Sequence, residues 1–212
     1  MKIEAGQTAL VTGASRGMGV IMARALARRG VNLILAARSA PQLQQVAQEL
    51  AAATGVKVDT VAVDLGDSAA LTRLAEDLIA RGGVDILLNN AGLESACRYD
   101  LADPAGIQQM IAVNLTGPML LSRLLLPGMI ARGRGHIVNI ASVAGLMATP
   151  YEETYNASKF GLVGFSRALR LTAEDNGWPV GVSVICPGFM AGTGMYHDMQ
   201  QGHGVSAPAM LG

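Results

Sequence analysis

Residues 8–23 read Thr8-Ala9-Leu10-Val11-Thr12-Gly13-Ala14-Ser15-Arg16-Gly17-Met18-Gly19-Val20-Ile21-Met22-Ala23, a short apolar run that passes through a glycine-rich turn straight into a helical pattern. Such a turn presents free backbone N–H groups at the positive end of a helix dipole, and its glycines let a pyrophosphate come close to the backbone. The spacing, Gly13 to Gly17 to Gly19, is G-x-x-x-G-x-G. It is not G-x-G-x-x-G, and no Gly-Lys-Ser/Thr follows to make a Walker A loop. A strand, phosphate turn and helix in this order predict a dinucleotide-binding α/β unit.

The same alternation continues outward from that unit. Thr8–Thr12, Val31–Ala37, Val56–Val63, Val84–Asn89, His136–Ala141 and Val180–Cys186 read as six strands, each nearly continuous in aliphatic residues. Strands covered by helices on both faces have that composition. Helical patterns fill the gaps at about Gly17–Arg29, Ala40–Ala53, Ser68–Arg81, Pro104–Arg132 and Tyr151–Asn176. The expected fold is therefore α/β, a Rossmann-type doubly wound parallel sheet, in a single domain spanning residues 1–212. After Pro187-Gly188 the chain becomes rich in Gly, Met and polar residues without a clear period, which reads as a substrate loop or lid over residues 188–212.

Composition narrows the functional classes. The 212 residues carry 16 Lys+Arg against 16 Asp+Glu, so no net basic field points to nucleic acid or an anionic membrane surface. Charged residues are only 15% and apolar ones 50%, more apolar surface than one domain's core usually takes up, and subunit contacts in a homodimer or homotetramer would absorb the excess. Two cysteines, Cys97 and Cys186, are too few for a disulfide framework and lack metal-ligand spacing. No signal-peptide pattern precedes Thr8, and the longest apolar stretch, Pro118–Ile130, is shorter than the roughly 20 residues of a membrane span. The expectation is a cytoplasmic protein with a small-molecule partner, no nucleic acid, no membrane and no metal.

The end of the second strand bears on which dinucleotide fits. Where many NAD-binding folds place an acid for the ribose hydroxyls, this chain has Ala36-Ala37-Arg38-Ser39. Arg38 and Arg16 offer two guanidinium groups suited to a 2′-phosphate, so NADP(H) is expected over NAD(H). Further along, Tyr155 and Lys159 stand four apart on a predicted helix and share a face. A nearby ammonium favours the phenolate, which would make Tyr155 a usable acid/base. Ser142, just past the fifth strand, can donate a hydrogen bond to a substrate oxygen.

Together these motifs resemble the short-chain dehydrogenase/reductase family. The resemblance covers about residues 5–192: Thr12–Gly19, Asp64-Leu65, Asn89-Asn90-Ala91-Gly92, Asn114, Ser142, Tyr155-Asn156-Ala157-Ser158-Lys159 and Pro187-Gly188. It implies that the turn from Gly13 through Ser15, Arg16, Gly17 and Met18 to Gly19 holds the pyrophosphate, that Asp64 and Leu65 contact the adenine, and that Asn90, Ala91 and Gly92 pass along a ribose. Pro187 and Gly188 would lie by the nicotinamide. Tyr155 would be the catalytic acid/base, Lys159 would hold the ribose and tune Tyr155, Ser142 would orient the carbonyl, and Asn114 would hold a water in a proton relay. The implied activity is transfer of the pro-S hydride of NADPH to a ketone, or the reverse from a secondary alcohol.

Two departures stand out. Relatives commonly continue with a further helix and a seventh strand, so the chain to Gly212 is expected to be part of a longer one, or its sixth strand to be covered by a partner. Thr193 stands one place from where relatives carry a carboxamide-binding Thr. Glu94, Ser95, Leu146, Met147, Glu152 and Met190 are expected as pocket walls, Asp85 as structural, His136 as a surface residue at a strand start, and His197, Asp198 and His203 as ordinary polar residues of the tail. The alternative function is a dinucleotide-binding sensor or scaffold that has lost turnover. Ketone class is left open.

Overall fold

The structure, a computed structural model, describes residues 2–188. Six strands, β1 (Thr8–Thr12), β2 (Asn32–Ala37), β3 (Val58–Ala62), β4 (Ile86–Asn89), β5 (Gly135–Ile140) and β6 (Val180–Ile185), form one sheet in the order β3-β2-β1-β4-β5-β6. Every neighbouring pair is parallel. The helices are α1 (Gly17–Ala27), α2 (Ala40–Thr54), α3 (Ser68–Ala80), α4 (Pro104–Ile111), α5 (Gly117–Ala131) and α6 (Glu153–Asp175). This is the doubly wound sheet expected from the sequence. Its strand order reverses direction between β1 and β4, which is where open sheets of this kind leave a crevice at their carboxyl edge.

The strands form where they do because their side chains alternate between two apolar layers. Leu10 and Ile34 point to one face, where Leu71, Leu74 and Leu78 of α3 and Leu121, Leu125 and Met129 of α5 cover them. Val11, Leu33 and Leu35 point to the other, against Ala23 and Leu26 of α1 and Leu43 and Leu50 of α2. Local signals set the helix ends. Asp67 accepts from the Ala69 and Ala70 N–H groups at the start of α3, Asp103 does the same for Ala105 and Gly106 at α4, and Gly55 closes α2 in a left-handed conformation at φ 73°.

One helix departs from expectation. The pattern from Pro104 to Arg132 divides into α4, a π-helical turn over Ala112–Thr116, and α5. Pro118 explains the widening: it has no N–H to give the Asn114 carbonyl four residues back, and its ring crowds that carbonyl. By length and mean hydropathy, 1.3, the run Pro104–Ala131 could cross a membrane, yet half of that window is buried in the protein. Its inward residues Leu121, Leu125, Leu126 and Met129 make it a core helix.

Two side chains at the amino edge of the sheet tie strands together. Asp85 is buried, accepts the Thr8 N–H at 3.1 Å and the Arg134 Nε at 2.9 Å, and so joins the starts of β1, β4 and β5. His136 corrects the expectation of a surface residue. It is half-buried on β5, its Nε2 lies 2.9 Å from Ser183 Oγ on β6, and burial lowers its pKa.

Candidate active site

The floor of the site is the turn that follows β1. Gly13 has φ 66° and Gly17 φ 59°, conformations that cost a side chain strain. Space forbids a side chain as well: a Cβ on Gly13 would sit 2.8 Å from the Ala91 Cα, and one on Gly19 would overlap the Gly13 carbonyl oxygen. The sequence reading assigned Thr12 no role, yet it locks this floor to the next loop. Its Oγ1 donates to the Leu88 carbonyl at 3.3 Å and accepts the N–H groups of Asn90 at 3.0 Å and Ala91 at 3.1 Å. Asn90 Nδ2 in turn donates to the Thr12 carbonyl at 2.9 Å. Two loops from neighbouring strands thus form one rigid cradle.

A cavity of about 740 Å³ opens above that cradle, along the carboxyl edge of the sheet. Gly13, Ser15, Arg16, Gly17 and Met18 line it from the turn, Arg38 from the end of β2, Asp64 and Leu65 from the end of β3, and Asn90, Ala91 and Gly92 from the end of β4. Ser142, Tyr155, Lys159, Pro187 and Gly188 complete the wall. Asp64 is held in place, accepting the Gly66 N–H at 2.9 Å. Arg16 and Arg38 are both exposed and both line the cavity. Gly19 supports the turn from beneath and is not on the wall, while Thr193, Met190, His197, Asp198 and His203 lie outside the described residues. Among the expected pocket walls, Glu94, Met147 and Glu152 line the cavity, whereas Ser95 and Leu146 do not.

The chemical groups meet where β5 and α6 face each other. Ser142 ends an extended step out of β5, its Oγ accepting the Ala144 N–H at 3.2 Å, and a short 3-10 turn follows over Val143–Gly145. Gly145 lies flat on α6: a Cβ there would stand 2.7 Å from the Lys159 carbonyl oxygen. That approach sets the Ser142 hydroxyl within hydrogen-bonding reach of Tyr155. Lys159 is 2% exposed, its Nζ donating to the Ile140 carbonyl at 3.0 Å and lying 5.5 Å from the centre of the Tyr155 ring. The Val143 N–H reaches the Pro187 carbonyl at 2.9 Å and draws the loop after β6 to the same place.

Asn114 stands behind this wall. It is fully buried in the π-helical turn, and its amide grips the Leu93 backbone twice, accepting the N–H at 2.7 Å and donating to the C=O at 2.8 Å. Its Nδ2 also donates to Ser158 Oγ at 3.1 Å, and Ser158 donates to the Tyr155 carbonyl at 2.7 Å. Asn114 therefore clamps the loop after β4 to α6. Ser158 is the link in that chain that sequence reasoning missed; a small hydroxyl one place before Lys159 was the available signal.

The electrostatics of the pair differ from the expected tuning. Burial pushes the Tyr155 phenol up to about 12, the Ser142 hydrogen bond pulls it down, and the charges of Glu94 and Glu152 raise it further. Burial also takes the Lys159 ammonium down to about 8. In the free protein Tyr155 is thus a protonated donor: the group that lowers it is Ser142, and not the Lys159 anticipated from sequence, while desolvation and two carboxylates raise it. Among the described residues no group of three or more His, Cys, Asp or Glu is placed to hold a metal.

Comparison with known proteins agrees with this architecture. The chain matches the family model for short chain dehydrogenase over residues 7–204. It is 41% identical to the ketoacyl reductase HetN of Nostoc sp. over 98% of this chain and 70% of that protein. Among solved structures, L-sorbose reductase from Gluconobacter frateurii, complexed with NADPH and L-sorbose, superposes with a TM-score of 0.86 at 31% identity, covering 96% of this chain and 79% of that one. A short-chain dehydrogenase/reductase from Burkholderia phymatum in complex with NAD gives 0.85 at 34% identity, covering 90% and 68%. With a glycine cradle at the switch point of the sheet, a serine, tyrosine and lysine on one wall, and a family match across nearly the whole length, the chain belongs to the short-chain dehydrogenase family.

Proposed function

We propose that this chain is an NADP(H)-dependent oxidoreductase that interconverts a ketone and a secondary alcohol. The observation that carries the reading is the meeting of the glycine cradle with Ser142, Tyr155 and Lys159 in one cavity of about 740 Å³. The residues present fit a dinucleotide: a cradle too tight for side chains at Gly13 and Gly19, and two arginines on the cavity wall. NADPH-bound and NAD-bound relatives both exist. Arg16 and Arg38, where an acid would serve NAD, support the phosphorylated form.

When bound, the nicotinamide supplies the hydride and the protein supplies position and electrostatics. Backbone N–H groups from Gly13 to Gly19 hold the pyrophosphate, Asp64 and Leu65 wall the adenine, and Asn90, Ala91 and Gly92 flank the ribose. Lys159 holds the nicotinamide ribose, with Pro187 and Gly188 beside the ring. Ser142 donates a hydrogen bond to the substrate carbonyl oxygen, and Tyr155 transfers its hydroxyl proton to that oxygen as it becomes an alkoxide. In the reverse direction Tyr155 takes the alcohol proton. Asn114 acts through position, by fixing the loop after β4 against α6. A homodimer or homotetramer is part of the same proposal, on the ground of the chain's low charge fraction, and so is a cytoplasmic setting, on the ground of its two cysteines without a disulfide framework.

The test is a fluorescence titration with NADPH and NADH, followed by turnover of a ketone panel by the wild type and by Tyr155→Phe. We expect tighter binding of NADPH, and in the variant an unchanged NADPH affinity with turnover reduced by roughly 10²–10⁴-fold. Retained turnover in Tyr155→Phe, or binding of neither dinucleotide, overturns the reading.

A further inference from the structure

We propose that Glu94 and Glu152 make the substrate end of this cavity select neutral ketones bearing hydroxyl groups over ketones that carry a carboxylate. The inference rests on the oxidoreductase reading above and adds a substrate class to it. Both residues line the cavity that holds Ser142 and Tyr155. Glu94 is two places beyond Gly92 in the loop after β4, and Glu152 immediately precedes α6. Both share the cavity wall with Tyr155, and the charge of each raises the Tyr155 phenol.

Glu152 is positioned rather than loose. Its Oε2 accepts a hydrogen bond from Thr149 Oγ1 at 2.7 Å, and Asn156 Nδ2 donates to the Thr149 carbonyl at 3.0 Å and to the Glu152 carbonyl at 2.8 Å. Although Glu152 occupies the N-cap of α6, its side chain does not cap the helix. Tyr151, just before it, is held at φ 69°, which costs a residue with a side chain free energy and is found where surrounding structure dictates the backbone. The Tyr151 carbonyl accepts the Cys97 N–H at 3.0 Å, which fastens the Glu152 segment to the loop that carries Glu94.

Among the described residues neither carboxylate is held in an ion pair. Lys159 draws on Glu94 from a distance, while its ammonium donates to the Ile140 carbonyl. Glu94 is half-buried, and its carboxyl is pushed up by burial and by Glu152 and drawn back in part by Lys159. An ionised carboxylate only accepts hydrogen bonds, so what this end of the cavity lacks is donors. A substrate hydroxyl provides one, in a charge-assisted bond about twice as strong as a neutral pair. A substrate carboxylate would instead be a third negative charge in a half-desolvated space, where repulsion is far stronger than in water.

The test compares kcat/KM of the NADPH-saturated full chain for acetoacetate against methyl acetoacetate, and for 1,3-dihydroxyacetone against acetone. We expect the ester to exceed the acid by about tenfold or more, the magnitude of one modest uncompensated like-charge contact. Dihydroxyacetone should exceed acetone as well. In Glu94→Gln and in Glu152→Gln, whose amides keep the shape and lose the charge, both gaps should shrink severalfold while NADPH affinity, measured in each variant as the control for folding, holds. Equal use of acid and ester by the wild type, or gaps unmoved in both variants, overturns the inference. NADPH binding without turnover of any of these ketones also overturns it and leaves the dinucleotide site standing. Loss of NADPH binding by the wild type strikes instead at the oxidoreductase reading.

Discussion

Lys159 is the largest fully buried side chain among the described residues, and its burial has a thermodynamic consequence. Its pKa falls from 10.5 to about 8 on folding, because the ammonium leaves water for a site with one carbonyl partner. Between about pH 8 and 10.5 the unfolded chain therefore holds a proton that the native one has released, and native stability rises with pH through that window. Below pH 8 both forms are charged and the full burial cost applies. Wild type should gain on Lys159→Met by about 2 kcal/mol between pH 7 and pH 10, read as the change in the gap between their urea midpoints. A gap independent of pH would mean that the buried amine keeps its ordinary pKa. The sequence placed Tyr155 and Lys159 on one helix face, because four-residue spacing is local geometry. It could not give the sign of the tyrosine's shift, which is set first by burial of the phenol in the folded site and then helped by Glu94, from a loop some sixty residues earlier in the chain.

At the scale of elements, the site depends on how closely the turn after β5 lies on α6. Gly145 permits that approach, since a Cβ there would stand 2.7 Å from the Lys159 carbonyl oxygen and 2.9 Å from its carbon, both backbone atoms that cannot swing aside. Gly145→Ala should cost about 1–3 kcal/mol of stability by overpacking. It should also lower kcat by roughly tenfold or more through a displaced Ser142, with NADPH affinity much less affected because the glycine cradle is separate. An intact kcat in a destabilised variant would show that Ser142 is positioned by something other than this contact. Strand positions were legible to within two residues at every end, since buried parallel strands are unbroken aliphatic runs bounded by Gly, Asn and charge. The division of the long helix into α4, a π-helical turn and α5 was not read, although Pro118 carried the signal. An apolar period shows which face is buried and says little about whether a turn holds one extra residue, and that extra residue is what rotates Asn114 toward Leu93 and Ser158.

Across the whole molecule, the cavity collects residues from the ends of β1, β2, β3, β4 and β5 and from the loop after β6, so a ligand there touches both halves of the sheet. Anything that binds the native form and not the unfolded chain stabilises by mass action, by about 2.7 kcal/mol at a hundredfold excess over Kd. For a domain of this size that corresponds to a rise in Tm of roughly 5–10 °C. NADPH at that excess should produce it, and NADH at the same concentration should produce less. The difference has a local origin in a chain of zero net charge: Arg38, at the end of β2, and Arg16, in the turn after β1, both line the cavity and can meet a 2′-phosphate. Arg38→Asp puts an acid at the end of β2, which repels that phosphate and can accept from ribose hydroxyls. The order of the two thermal shifts should then reverse, with NADH stabilising the variant more than NADPH does. If NADPH kept its advantage in Arg38→Asp, the preference would have to arise away from β2, and the assignment of the phosphate to Arg38 would fail.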